Sequence, residues 1–147
     1  MKTETRYISN IFWSWRRYLH AQLATRRIFC NPAAQPKPSS VDQWLIFFTG
    51  TYMPALFATS HPRILCVARD DKDGSDMETL ATEVLNILDK QPSGRRTITL
   101  YDKTSGESIG TIEIIDVSVS PNIFYAEGTQ SRAIDITTRV KTARRST

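Results

Sequence analysis

The sequence predicts an α+β fold: a mostly antiparallel, twisted β-sheet with a long N-terminal helix and a second, central helix packed on it. Three observations lead there. Two segments carry apolar residues at i, i+3 and i+4 spacing, one at the N-terminus and one in the middle. The stretches around them are strand-length apolar or alternating runs. Gly, Pro and Asp clusters punctuate those runs, and the order helix, strands, helix, three strands is that of an α+β protein. The 147 residues suit one domain with one real core.

From about Glu4 to Thr25 the stripe Ile8, Ile11, Phe12, Trp15, Tyr18, Leu19, Leu23 reads as one amphipathic helix without Pro or Gly. Trp13 and the pair Arg16-Arg17 fall off that stripe. Residues 31–40, Asn-Pro-Ala-Ala-Gln-Pro-Lys-Pro-Ser-Ser, form an extended proline-rich connector, since proline lacks the amide hydrogen a helix needs. Val41 to Thr49 is a strand, with Gly50 and Pro54 at its end. Met53 to Ser60 is a weaker extended piece. Pro62 to Ala68 is a near-continuous apolar strand, expected to be central and covered on both faces.

Asp70 to Ser75 is an acidic loop. Ser75 and Glu78 have capping-box spacing, opening a helix to about Asp89 that buries Met77, Leu80, Ala81, Val84, Leu85 and Leu88. Gln91-Pro92-Ser93-Gly94 ends it. Arg96 to Tyr101 alternates as a strand, Lys103 to Glu107 is a hairpin turn, and Ile109 to Val119 is a long strand. Pro121 to Thr129 reads as irregular, and Ala133 to Thr142 as the closing strand. The organisation is then one domain over 1–147: helix and basic segment 1–30, connector 31–40, sheet plus helix 41–142, and basic tail 143–147.

Hydrophobic residues make up 40% and charged residues 23%, which argues against disorder. No apolar run approaches the roughly 18–20 residues of a membrane span, so no membrane partner is expected. The N-terminus shows no apolar signal-peptide region. Cys30 and Cys66 lie far apart without metal or disulfide spacing, which fits reduced thiols in a cytoplasmic setting. The charge is unevenly placed: about +5 over residues 1–30, +4 over 132–147 and −5 between, for a net +4. Basic ends around an acidic middle could bind nucleic acid, or let identical subunits meet basic surface to acidic surface.

Motifs that would carry chemistry fail on context. Gly106-Glu107-Ser108-Ile109-Gly110 has the G-x-S-x-G spacing, but it joins a turn to a strand and not a strand to a helix. His20 and His61 sit where neither is expected to activate Ser108. In a calcium loop with Gly74 as its glycine, the first and last ligands would be Arg69 and Leu80, which cannot serve. Acidic residues before a helix favour its positive end instead. Phosphate-binding glycine loops and zinc spacings are absent from the sequence. The expectation is a protein that is not an enzyme and takes no cofactor or metal. Trp13-Ser14-Trp15-Arg16-Arg17-Tyr18 admits three readings: a core helix with a solvated basic face, a protein interface, or base stacking with phosphate pairing.

The layout resembles the tail terminator (tail completion) proteins of long-tailed bacteriophages. The likeness rests on the long first helix followed by Phe29-Cys30-Asn31-Pro32 and a Pro-Ser lead into Trp44-Leu45-Ile46. It continues in Ile64-Leu65-Cys66-Val67-Ala68-Arg69-Asp70 with the helix Met77 to Leu88, and in the last strand Ala133 to Val140. The resemblance implies a homo-oligomeric ring, usually a hexamer, that caps the tail tube, stops its polymerisation and joins it to the neck or head connector. It implies as partners the tube protein, the connector, a sheath terminal ring if the tail contracts, and DNA only as it passes through the lumen. It implies a place at the tail–neck junction of the virion after assembly in the host cytoplasm. The alternatives are another neck or head-completion protein, and a nucleic-acid-binding module.

The interface candidates are Trp13, Arg16, Arg17, Arg26 and Arg27 in the basic first segment, and Lys103 and Glu107 on the hairpin. Tyr125 and Arg132 in the irregular segment, and Arg139 and Lys141 on the last strand, complete the set.

Overall fold

Trp15 lies between two parts of the sheet that are far apart in strand order, and the architecture follows from that. A computed structural model describes residues 4–55, 58–90 and 94–142. Helix α1 spans Glu4–Gln22 and α2 spans Ser75–Leu88. The strands are β1 Ile28–Cys30, β2 Gln43–Met53, β3 Ala58–Arg69, β4 Asp89–Lys90, β5 Gly94–Arg95, β6 Thr97–Tyr101, β7 Ser108–Val119, β8 Ile123–Ala126 and β9 Thr129–Thr142. The main sheet has the order β1-β2-β3-β9-β7-β6, with β8 paired to β9 beyond the end of β7. All its pairings are antiparallel except β1 with β2. This is the α+β class the sequence predicts.

Both helices bury their stripes on one sheet face. Ile11, Trp15, Leu19 and Leu23 of α1 and Leu80, Val84 and Leu88 of α2 join Phe47, Cys66, Leu100, Ile112 and Ile136 in one core. Trp15 stacks 5.7 Å from Phe47 of β2. The residue before Trp15, Ser14, accepts the Tyr101 amide of β6 on its hydroxyl at 2.8 Å. In a flat sheet β2 and β6 would lie about 19 Å apart, four strand spacings. A helix about 10–12 Å across can touch both only if the sheet curls around it. The two edge strands, β1 and β6, therefore flank α1.

The opposite face is covered only in part. Trp44, Ile46, Val67 and Tyr125 form a second cluster there. The proline-rich connector lies over it, tied down by the Tyr125 hydroxyl donating to Pro36 O and by Arg69 donating to Pro38 O and Val41 O at 2.6 Å each. Toward the other end of the sheet this face carries charge: Arg63 binds Asp135 at 2.7 Å, and Lys141 lies 3.9 Å from Glu113. So β3 is covered on both faces only in its second half.

Several elements differ from expectation. Residues 28–30 pair in parallel with β2. Strand β2 runs past Gly50 through an irregularity between Phe48 and Thr51. Gly50 sits at φ +72°, and a Cβ there would lie 2.0 Å from His61 O, so glycine lets the two backbones close in at Pro62 of β3. The expected piece Met53–Ser60 is split: Met53 ends β2, and from Ala58 it is continuous with Pro62–Ala68 in β3, with residues 56–57 outside the described residues. The capping box does not form: Gly74 is the N-cap, and the Asp71 carboxylate accepts the Asp76 and Met77 amides at 3.2 and 2.9 Å. In α2, Ile87 is buried and Leu85 half-buried. The segment 121–129 contains β8, a hairpin partner of β9. The last strand begins at Thr129 and is central, between β3 and β7. Lys2, Arg144, Arg145 and the Pro92-Ser93 turn lie outside the described residues.

Candidate interaction site

Helix α1 is held against β6 by two polar residues inside its apolar stripe. Asn10 and Ser14 are 3% and 1% exposed. Besides the Ser14–Tyr101 bond, Asn10 Oδ1 accepts the Lys103 amide at 2.9 Å. Side chains thus occupy amide donors that an edge strand would otherwise present to solvent. The same bonds fix the hairpin 102–107 beside the outer face of α1. That hairpin is closed by Gly106 N donating to Asp102 O and Asp102 N donating to Glu107 O, with Gly106 at φ +74°.

Between helix and hairpin lies a groove of about 460 Å³ lined by Trp13, Arg16, Arg17 and His20 of the helix and by Tyr101, Asp102, Lys103 and Gly106 of the strand and hairpin. Its cations rest on rings. Arg16 stands 5.0 Å and Lys103 5.2 Å from the Trp13 ring centre, and Arg17 stands 4.0 Å over Tyr101. Arg16 also lies beside Cys30 of β1, where burial raises the thiol pKa more than the guanidinium lowers it. Arg16 and Arg17 thus line one aromatic, net cationic groove suited to carboxylates and apolar groups.

The sequence candidates divide accordingly. Trp13, Arg16, Arg17 and Lys103 converge on the groove, and exposed Glu107 is at the foot of the same hairpin. Arg27 is exposed, 5.0 Å from the Phe29 ring. Five others belong elsewhere. Tyr125 is 5% exposed and packs edge-on against Trp44 at 5.7 Å, so it is core and not contact surface. Arg26 binds Glu83 at 2.6 Å and Gln43 at 3.1 Å, tying the end of the first helical segment to α2 and β2. Arg132 binds both Glu78 oxygens at 2.6 Å and Ser120 O at 2.9 Å, tying β9 to α2. Arg139 and Lys141 belong to the charged sheet face, with Arg139 opposite Glu113 in register.

The hairpin also explains the serine motif. Ser108 opens β7, and a Cβ on Gly110 would lie 2.0 Å from Lys141 O. That glycine serves close strand approach. Asp73 is bound by the Ser75 hydroxyl and amide at 2.7 and 3.0 Å, which holds its pKa below the usual carboxylate value. Among the described residues no group of three His, Cys, Asp or Glu side chains converges. No described helix is long and apolar enough to cross a membrane.

A second surface lies in the irregular segment expected to make contacts, but on residues other than the candidates Tyr125 and Arg132. Phe124 on β8 is 77% exposed and its neighbour Ile123 42%. Phe124 borders a groove of about 420 Å³ shared with Asp70, Asp71, Lys72 and Gln130. The sequence signal is the adjacent apolar pair Ile123 and Phe124 within the 121–129 segment.

No family model and no curated protein sequence matches the chain. Solved structures do. The fold recurs in a virion. A chain in the structure described as the virion of a native gene transfer agent (GTA) particle aligns over 92% of this chain and 94% of its own, with TM-score 0.50 and 12% identity. A second solved chain, described only by a sequence designation, aligns over 97% of this chain and 100% of its own, with TM-score 0.64 and 7% identity. At such identities the likeness is one of fold.

Proposed function

We propose that the chain is a structural protein of a phage-like virion, and more narrowly a ring-forming tail terminator that caps the tail tube and joins it to the neck. The observation that carries this is the fold shared with a chain of a GTA virion over nearly the whole length. The sequence resemblance to tail terminators leads to the narrower reading. The groove supports it further, because a protein that works by contact needs a preformed surface, and this one is rigidly mounted between helix and hairpin.

The test is the mass of the purified chain by native mass spectrometry, with negative-stain images of the particle. Six-fold rings are expected. A twelve-fold ring would overturn the terminator reading in favour of a neck or head-completion protein. A monomer that binds DNA with a steep salt dependence would favour a nucleic-acid module.

A further inference from the structure

We propose that successive copies join head to tail, the Phe124 tip and acidic loop of one seating in the Trp13–Arg17–Lys103 groove of the next. This rests on the ring reading above and names the joint that would build it.

The two surfaces are complementary in charge. In the groove, Arg16, Arg17 and Lys103 stand on aromatic rings and outnumber the one carboxylate of the lining, Asp102. Three clustered cations repel one another, and an arriving carboxylate relieves that repulsion. The tip offers the matching groups. Phe124 projects with 77% exposure, an uncovered aromatic of the kind that anchors protein contacts. Asp70, which lines the same groove as Phe124 and Lys72, is exposed, as are Asp76 and Glu127 nearby in sequence. Asp71 and Asp73, by contrast, are engaged in starting α2.

One chain cannot satisfy itself. Strand register puts Arg69, just before the acidic loop, opposite Thr129 of β9, while Thr142 at the far end of β9 pairs with Gly110 beside the 102–107 hairpin. A 14-residue strand spans about 45 Å, so groove and tip lie at opposite ends of the sheet. Two different surfaces at opposite ends make a heterologous contact, which propagates from copy to copy and closes into a ring when the rotation allows.

The test uses Arg17→Glu, which spoils the groove, and Phe124→Ser, which spoils the tip. Both residues are exposed, and circular dichroism and melting curves confirm that each variant folds. Lys103→Glu and Ile123→Ser provide a second pair should either fail. Sedimentation of wild type, each variant and their equimolar mixture is then compared. The expected result is that each variant alone loses the ring, with association weakened about tenfold or more. The mixture recovers a one-to-one heterodimer, because one joint then has an intact tip and an intact groove. Variants that still form rings, or a mixture that stays monomeric, overturn this contact while leaving the ring reading in place. A wild type that does not self-associate overturns both.

Discussion

The guanidinium of Arg17 lies 4.0 Å over the ring of Tyr101, joining the first helix to the edge strand β6 across the mouth of the groove. The contact is exposed. Its contribution to stability is therefore small, about 0.5 kcal/mol. Arg17→Ala should leave the urea midpoint almost unchanged. Arg26→Ala should cost about 1–2 kcal/mol, because Arg26 binds Glu83 and Gln43 together in a part-buried site. Urea unfolding of the two variants side by side decides this, and a larger loss for Arg17 would reverse the roles assigned to them.

Trp15 is fully buried against Phe47 and Tyr18. Removing it empties the space the sheet curls around. Trp15→Ala should destabilise by about 3–5 kcal/mol. Tyr125→Phe should cost only about 1 kcal/mol, the hydroxyl bond to Pro36 O, and leave assembly unchanged because Tyr125 is core. A loss of oligomers with Tyr125→Phe would restore it as a contact residue.

Gly50→Ala brings a Cβ to 2.0 Å from backbone His61 O at a left-handed φ. The strands must part, at a cost of about 2–3 kcal/mol or more. Gly106→Ala meets nothing within 4 Å and carries only the left-handed strain, about 1–2 kcal/mol. Melting temperatures of the two variants should rank in that order.

Asp71 holds the first turn of α2 through two amides. Asp71→Ala should cost about 1 kcal/mol, the usual loss for a missing cap. Glu78→Gln should leave the helix start intact, since the capping box is not formed, and should weaken only the link to Arg132. Hydrogen exchange at Asp76 and Met77 distinguishes the two.

Burial lifts the Cys66 thiol from 9.0 to about 12. The folded state therefore favours the neutral thiol, and the unfolded chain ionises first as pH rises. Its contribution is whole below pH 9 and is lost as pH climbs toward about 12. The stability gap between wild type and Cys66→Ala should narrow by about 1–2 kcal/mol between about pH 8 and 10.5. A constant gap would refute the burial effect. Native Cys66 should also resist thiol reagents at pH 8 while half-buried Cys30 reacts.

The sequence by itself determined the local elements. The stripe from Ile11 to Leu23, the α2 stripe and the alternation of Thr97 to Leu100 are written in periodicity, because burial of one face is a local pattern. It also marked Trp13, Arg16 and Arg17 as set apart from the core stripe. Tertiary structure decided what they meet. Lys103 is more than eighty residues from Trp13, and only the curl of the sheet around α1 brings them together. The same long-range packing drew Tyr125 into the core and gave Arg26 and Arg132 to α2, since a side chain's partners depend on strand order and register, which no local pattern records. It also left Phe124 uncovered, the feature from which the head-to-tail joint is inferred.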